Sequence, residues 1–78
     1  MLSYKGALEA EREAKQQRIA AGRWLRIDET KPRIASDEML VRRVVAAAKE
    51  QSETFAALLH DYEVNRLFNA GVLYFERP

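Results

Sequence analysis

The feature that most constrains this chain is the uneven placement of its large apolar residues. Residues 1–22 hold five of them: Met1, Leu2, Tyr4, Leu8 and Ile19. Residues 23–78 hold twenty. Each large side chain, once buried, stabilises a fold by about 1.5–3 kcal/mol. The core is therefore expected from residues 23–78, with residues 1–22 as an N-terminal polar helix forming an arm or outer layer.

Seventy-eight residues make at most one domain, and a chain this short leaves much of its surface exposed. With 47% apolar and 32% charged residues, it is too apolar for intrinsic disorder. It has no cysteine. That excludes disulfides and thiolate metal sites, and points to a reducing compartment. Stability must come from helix packing or from a partner. The first residues form no apolar signal-peptide stretch. Neither Val44 to Ala48 nor Phe55 to Leu59 approaches a membrane span. The expected location is cytoplasmic.

Ala7 to Ala21 reads as a helix dominated by strong helix formers, with Glu11 and Lys15 in the favourable i,i+4 order. Gly22 is the expected C′ residue. The helix carries a small-residue stripe, Ala7, Ala10, Ala14, Gln17 and Ala21, at a/d spacing. Residues 23–27 read as a short strand, Asp28 to Pro32 as a turn, and Arg33 to Ala35 as a return strand. Ser36 is the expected N-cap of a second helix from Asp37 to Gln51, with Asp37 and Glu38 in its first turn.

A third helix is expected from Glu53 to Asn69, capped by Ser52 or Thr54. No Gly or Pro separates it from the second, so one long bent helix is an alternative. Phe55, Leu58, Leu59 and Tyr62 lie opposite Val64, Leu67 and Phe68 on a continuous helix. That pattern requires either burial all round or a break near His60 to Glu63. After Gly71, residues 72–75 read as a strand whose expected mate is the strand at 23–27. Glu76, Arg77 and Pro78 would blunt its edge. The fold class is thus α+β and predominantly helical: about three helices with a small two- or three-stranded antiparallel element.

The chemistry-bearing residues point away from catalysis. His60 is the only histidine, and neither a metal site nor a catalytic base can be assembled from it and scattered carboxylates. A half-buried or surface structural role is expected for it. The serines lie in no nucleophile elbow, and the three glycines are isolated. Asp28/Glu29 and Asp37/Glu38 sit at a turn and a helix start, where carboxylates are ordinary. The expectation is a non-enzyme with no cofactor and no metal.

Three binding readings remain. In the first, the chain is a protein-binding module, such as an adaptor, inhibitor or assembly factor of bacterial or phage type. It would mask or bridge a surface of a larger protein through Arg18, Arg23, Trp24, Arg26 and Tyr74. Trp, Tyr and Arg are the commonest interface hot spots. Trp24 is itself expected in the core, flanked by solvated arginines.

The second reading is a nucleic-acid-binding regulator using Arg42, Arg43 and Arg66. Residues 53–75 resemble the end of a winged helix-turn-helix module. The chain departs from that pattern: no glycine lies between residues 23 and 70, and Glu63 to Asn69 carries one basic residue, Arg66. The third reading is a homo-oligomeric structural subunit assembled through Ala7, Ala10, Ala14 and Ala21. No membrane partner is expected.

Overall fold

The structure, a computed structural model, describes residues 4–77, with side chains at all of these except 4, 5 and 7. In chain order it runs α1 (Tyr4–Ala21), a 3-10 turn (Gly22–Trp24), β1 (Leu25–Ile27), α2 (Ala35–Glu50), α3 (Glu53–Leu58), α4 (Tyr62–Asn69) and β2 (Leu73–Phe75). The class is α+β, predominantly helical. The two strands pair antiparallel, with Leu25 opposite Phe75, Arg26 opposite Tyr74 and Ile27 opposite Leu73. Backbone hydrogen bonds Asp28 N to Val72 O and Glu76 N to Trp24 O, both 2.9 Å, lengthen the ribbon at its two ends.

Arg33 to Ala35 forms no return strand. Ala35 already belongs to α2, and Glu38 N donates to Ile34 O at 3.0 Å. This earlier start also displaces Ser36 from the capping position into the first turn; Ile34 occupies the cap position without a side-chain bond. Asp37 and Glu38 do lie in that first turn. The strand expected from residue 23 begins at Leu25, because Gly22–Trp24 continues the winding of α1 as a tighter turn.

The long helix over 53–69 is in fact two. Leu59 N donates to Phe55 O, and His60 N and Asp61 N donate to Ala57 O and Leu58 O as the coil tightens and stops. Asp61 then caps α4, its Oδ1 accepting from Glu63 N at 2.9 Å and Val64 N at 3.3 Å. The break lets Phe55 and Leu58 of α3 and Val64 and Leu67 of α4 all face one core. Tyr62, grouped by helical periodicity with Phe55, is instead 78% exposed beyond the break.

Two helix ends share one device. Gln51, at φ 49°, closes α2 with Gln51 N on Ala48 O and Ser52 N on Ala47 O. Gly71, at φ 79°, closes α4 with Gly71 N on Phe68 O and Val72 N on Leu67 O. Both are Schellman ends, which satisfy carbonyls that the helix leaves unpaired. The first separates α2 from α3 without Gly or Pro. Ser52 precedes α3 at its N-cap position, but its hydroxyl donates to Ala47 O at 3.5 Å rather than capping α3.

The core comprises Leu25, Val41, Val44, Ala47, Ala48, Phe55, Leu58, Val64, Leu67, Val72 and Leu73. All lie between residues 25 and 73, where the apolar count places them. Trp24 is not among them: it is half-buried, and Leu25 turns inward in its place. Gly22 is buried with an ordinary negative φ, so it serves close packing rather than a left-handed cap.

The C-terminal half of α1 lies against α3 and the turn after it, where Lys15 pairs with Glu53 at 3.2 Å and Arg18 hydrogen-bonds to His60. Leu8 to Glu13 are exposed. The radius of gyration, 14.2 Å, exceeds the about 11.5 Å of a compact chain of this length, and the longest extent is 47 Å. An 18-residue helix is about 27 Å long, which accounts for the elongation. Among the described residues, no helix is long and apolar enough to cross a membrane.

Candidate interaction surface

Antiparallel pairing decides which side chains of the ribbon share a face. Leu25, Ile27, Leu73 and Phe75 take the inner face, where the ring of Phe75 stacks on Phe68 at 5.1 Å. Arg26 and Tyr74, paired across the strands, take the outer one. Trp24 and Glu76 extend the two strands on that side. Arg26 Nε donates to Glu76 Oε2 at 3.1 Å, and its Nη1 donates to the carbonyls of Arg23 and Leu25. The guanidinium of Arg23 lies 4.7 Å from the centroid of the Trp24 ring, a cation–π contact.

Four of the five residues expected to meet a partner therefore gather on one end of the molecule: Arg23, Trp24, Arg26 and Tyr74. Their states differ. Arg26 is neutralised by Glu76 and tied to backbone carbonyls. Arg23 is exposed and has no carboxylate partner among the described residues. Tyr74 is 44% exposed. Arg18 lies elsewhere, in the seam between α1 and α3, with its Nη1 donating to His60 Nε2 at 2.5 Å.

The arginines expected to meet nucleic acid separate in the same way. Arg66 donates to Glu63 and Asp37 at 2.9 and 2.7 Å. These two carboxylates, Glu63 first, hold its charge more firmly by raising its pKa. Its charge is already answered within the chain. Arg42 and Arg43 are exposed on α2 with no ion pair among the described residues.

Of the alanine stripe, Ala10 is exposed, and Ala14 and Ala21 are half-buried. The side chain of Ala7 and the whole of Pro78 lie outside the described residues. Among the described residues, no three His, Asp or Glu side chains gather as a metal-binding group.

One feature escaped the sequence. A shallow groove of about 460 Å³ runs between α2 and β1, with Ile27, Val41, Val45 and Ala46 along it. A second hollow of about 290 Å³ adjoins it, shares Val45 and Lys49, and reaches Gly22, Arg23 and Arg26. At the far end, Arg33 Nε donates to Glu38 at 2.6 Å and Nη2 to Glu29 at 3.3 Å. These bonds, Glu38's foremost, raise the Arg33 pKa. Arg42, Val45 and Lys49 stand at i, i+3 and i+7, so their shared face was readable. That β1 would lie beside it was not.

Comparison with known proteins found no matching family model, no similar curated protein and no similar solved structure.

Proposed function

We propose that this chain is a small interaction module that binds a larger protein through the outer face of its ribbon, masking or bridging that partner's surface. The observation that supports it most is Arg23 stacked on half-exposed Trp24, at the end of a ribbon whose outer face also presents Tyr74. Stacking orders the guanidinium in advance, so less side-chain entropy is lost when it meets a carboxylate. Arginine meets acidic groups with fixed geometry, while the rings supply apolar area at little conformational cost. In this reading the chain acts by occupying a surface, as an adaptor, inhibitor or assembly factor does, without chemistry of its own.

A second reading, nucleic-acid binding, is supported by the unpaired guanidiniums of Arg42 and Arg43 on α2. The pairing of Arg66 with Asp37 and Glu63 weakens it.

The test is tagged capture from a bacterial lysate, with and without nuclease, comparing the parent with Arg23→Glu and Tyr74→Ala. Both positions are exposed, so circular dichroism should be unchanged. The proposal expects a defined protein that survives nuclease and is lost with both variants. A partner retained equally by both variants refutes the ribbon face as its site. Material that vanishes with nuclease moves the second reading ahead.

A further inference from the structure

We infer that the groove between α2 and β1 is a docking site for an acidic, aliphatic-bearing segment of a protein partner. It is a different surface from the outer face of the ribbon, sharing only Arg23 and Arg26 at one end. Its charge favours an acidic occupant. The groove and its adjoining hollow are lined by Arg23, Arg26, Arg33, Arg42 and Lys49 against Glu29 and Glu38. Five cations less two carboxylates leave +3, in a chain whose net charge is +1. Arg33 is answered by Glu38 and Glu29, and Arg26 by Glu76. The charge left for an occupant is that of Arg23, Arg42 and Lys49, none of which has an ion pair among the described residues.

Its walls favour aliphatic side chains. Ile27 and Val45 are only partly covered and Ala46 is exposed, so aliphatic surface is open between the cations. Aliphatic side chains of an occupant gain by leaving water there. A single-stranded nucleic acid would want aromatic platforms for its bases, and no aromatic residue lines either hollow. Cations around an aliphatic strip select carboxylates with interspersed leucine- or isoleucine-like side chains.

Binding is tested by fluorescence anisotropy on the full chain. The probes are a short labelled peptide of glutamates and leucines, the same peptide with lysine for glutamate, and a labelled single-stranded oligodeoxynucleotide. Two variants carry the same charge change one residue apart: Arg42→Glu, which lines the groove, and Arg43→Glu, which is exposed on α2 outside it. The inference expects the acidic peptide to bind, its affinity to fall with added salt, and the lysine peptide not to bind. Arg42→Glu should weaken it about tenfold and Arg43→Glu by less than about twofold.

Equal loss in the two variants would reduce the effect to diffuse electrostatics and overturn the site. Tighter binding of the oligonucleotide than of the acidic peptide, or no peptide binding at low salt, would also overturn it. Neither outcome bears on the ribbon face: Arg23 belongs to both surfaces, but Tyr74 lines neither hollow, so Tyr74→Ala tests the ribbon face separately.

Discussion

Gly22→Ala places one methyl group where the structure has no room. A Cβ built there would lie 2.8 Å from the carbonyl oxygen of Ala48, 3.1 Å from its Cα and 3.3 Å from Cδ2 of Phe55. The two closest atoms are backbone of α2, and Phe55 is fully buried, so none is a flexible side-chain end that can swing away. The same Ala48 carbonyl accepts from Gln51 N in the Schellman end of α2, so pushing it disturbs the joint between α2 and α3.

Overpacking of this kind costs about 1–3 kcal/mol. Replacing Gly by Ala returns about 0.4–1 kcal/mol by restricting the unfolded chain. At the middle of each range the net loss is about 1.3 kcal/mol, out of roughly 4–12 kcal/mol for 78 residues. With an unfolding entropy of about 2.1 cal/mol/K per residue, Tm falls by about 8 °C. Far-UV circular dichroism during heating measures it. An unchanged or raised Tm in the alanine variant would refute the close packing of the 3-10 turn on α2.

Two further outcomes follow from single hydrogen-bond systems. Asp61→Ala removes the acceptor of Glu63 N and Val64 N at the start of α4. It should cost about 1 kcal/mol, seen in urea as a lower midpoint at unchanged slope, with faster amide exchange at Glu63 and Val64. Hydrogen bonds from the Thr30 hydroxyl, then from its backbone N–H, hold the Asp28 carboxyl below its ordinary 3.8. A pKa depressed by folding contributes stability that is present above the ordinary value and is lost as pH falls through the folded one. Thr30→Val should raise the Asp28 pKa toward 3.8 in an NMR titration, and an unmoved titration would contradict the bond.

Four of the nine arginines already hold a side-chain hydrogen-bond partner within the chain. Arg26, Arg33 and Arg66 are each paired with carboxylates of the chain itself, and Arg18 is bonded to His60. Asp37 and Arg66 lie 29 positions apart and Arg26 and Glu76 lie 50 apart, so linear spacing hides both pairs. Arg23, Arg42 and Lys49, without ion pairs among the described residues, are the cations that the groove offers an occupant, and Arg23 also serves the ribbon face.

Local chemistry determined much of this fold directly. The polar helix over residues 7–21 follows from helix propensity, and the core over residues 25–73 from where large apolar side chains are available. The β-branched and aromatic runs at both ends of that core specify the two strands, since each strand needs a mate for its backbone groups. The conflict of faces between Phe55 and Val64 required a break, and Asp61 stands where it falls.

What tertiary structure decided is everything that depends on a distant neighbour. Ser36 is a good cap by type, but Glu38 N finds Ile34 O first and α2 starts earlier. Trp24 has the volume of a core residue, yet pairing of Leu25 with Phe75 turns Leu25 inward and leaves Trp24 beside Arg23 at the surface. Gly22 reads as a helix stop, and only the approach of Ala48 shows that its missing side chain is what the packing uses. Propensity and periodicity act over one or two turns of chain. Which face meets water, and which charge already has a partner, depends on contacts between residues far apart in sequence, and those exist only once the chain has closed on itself.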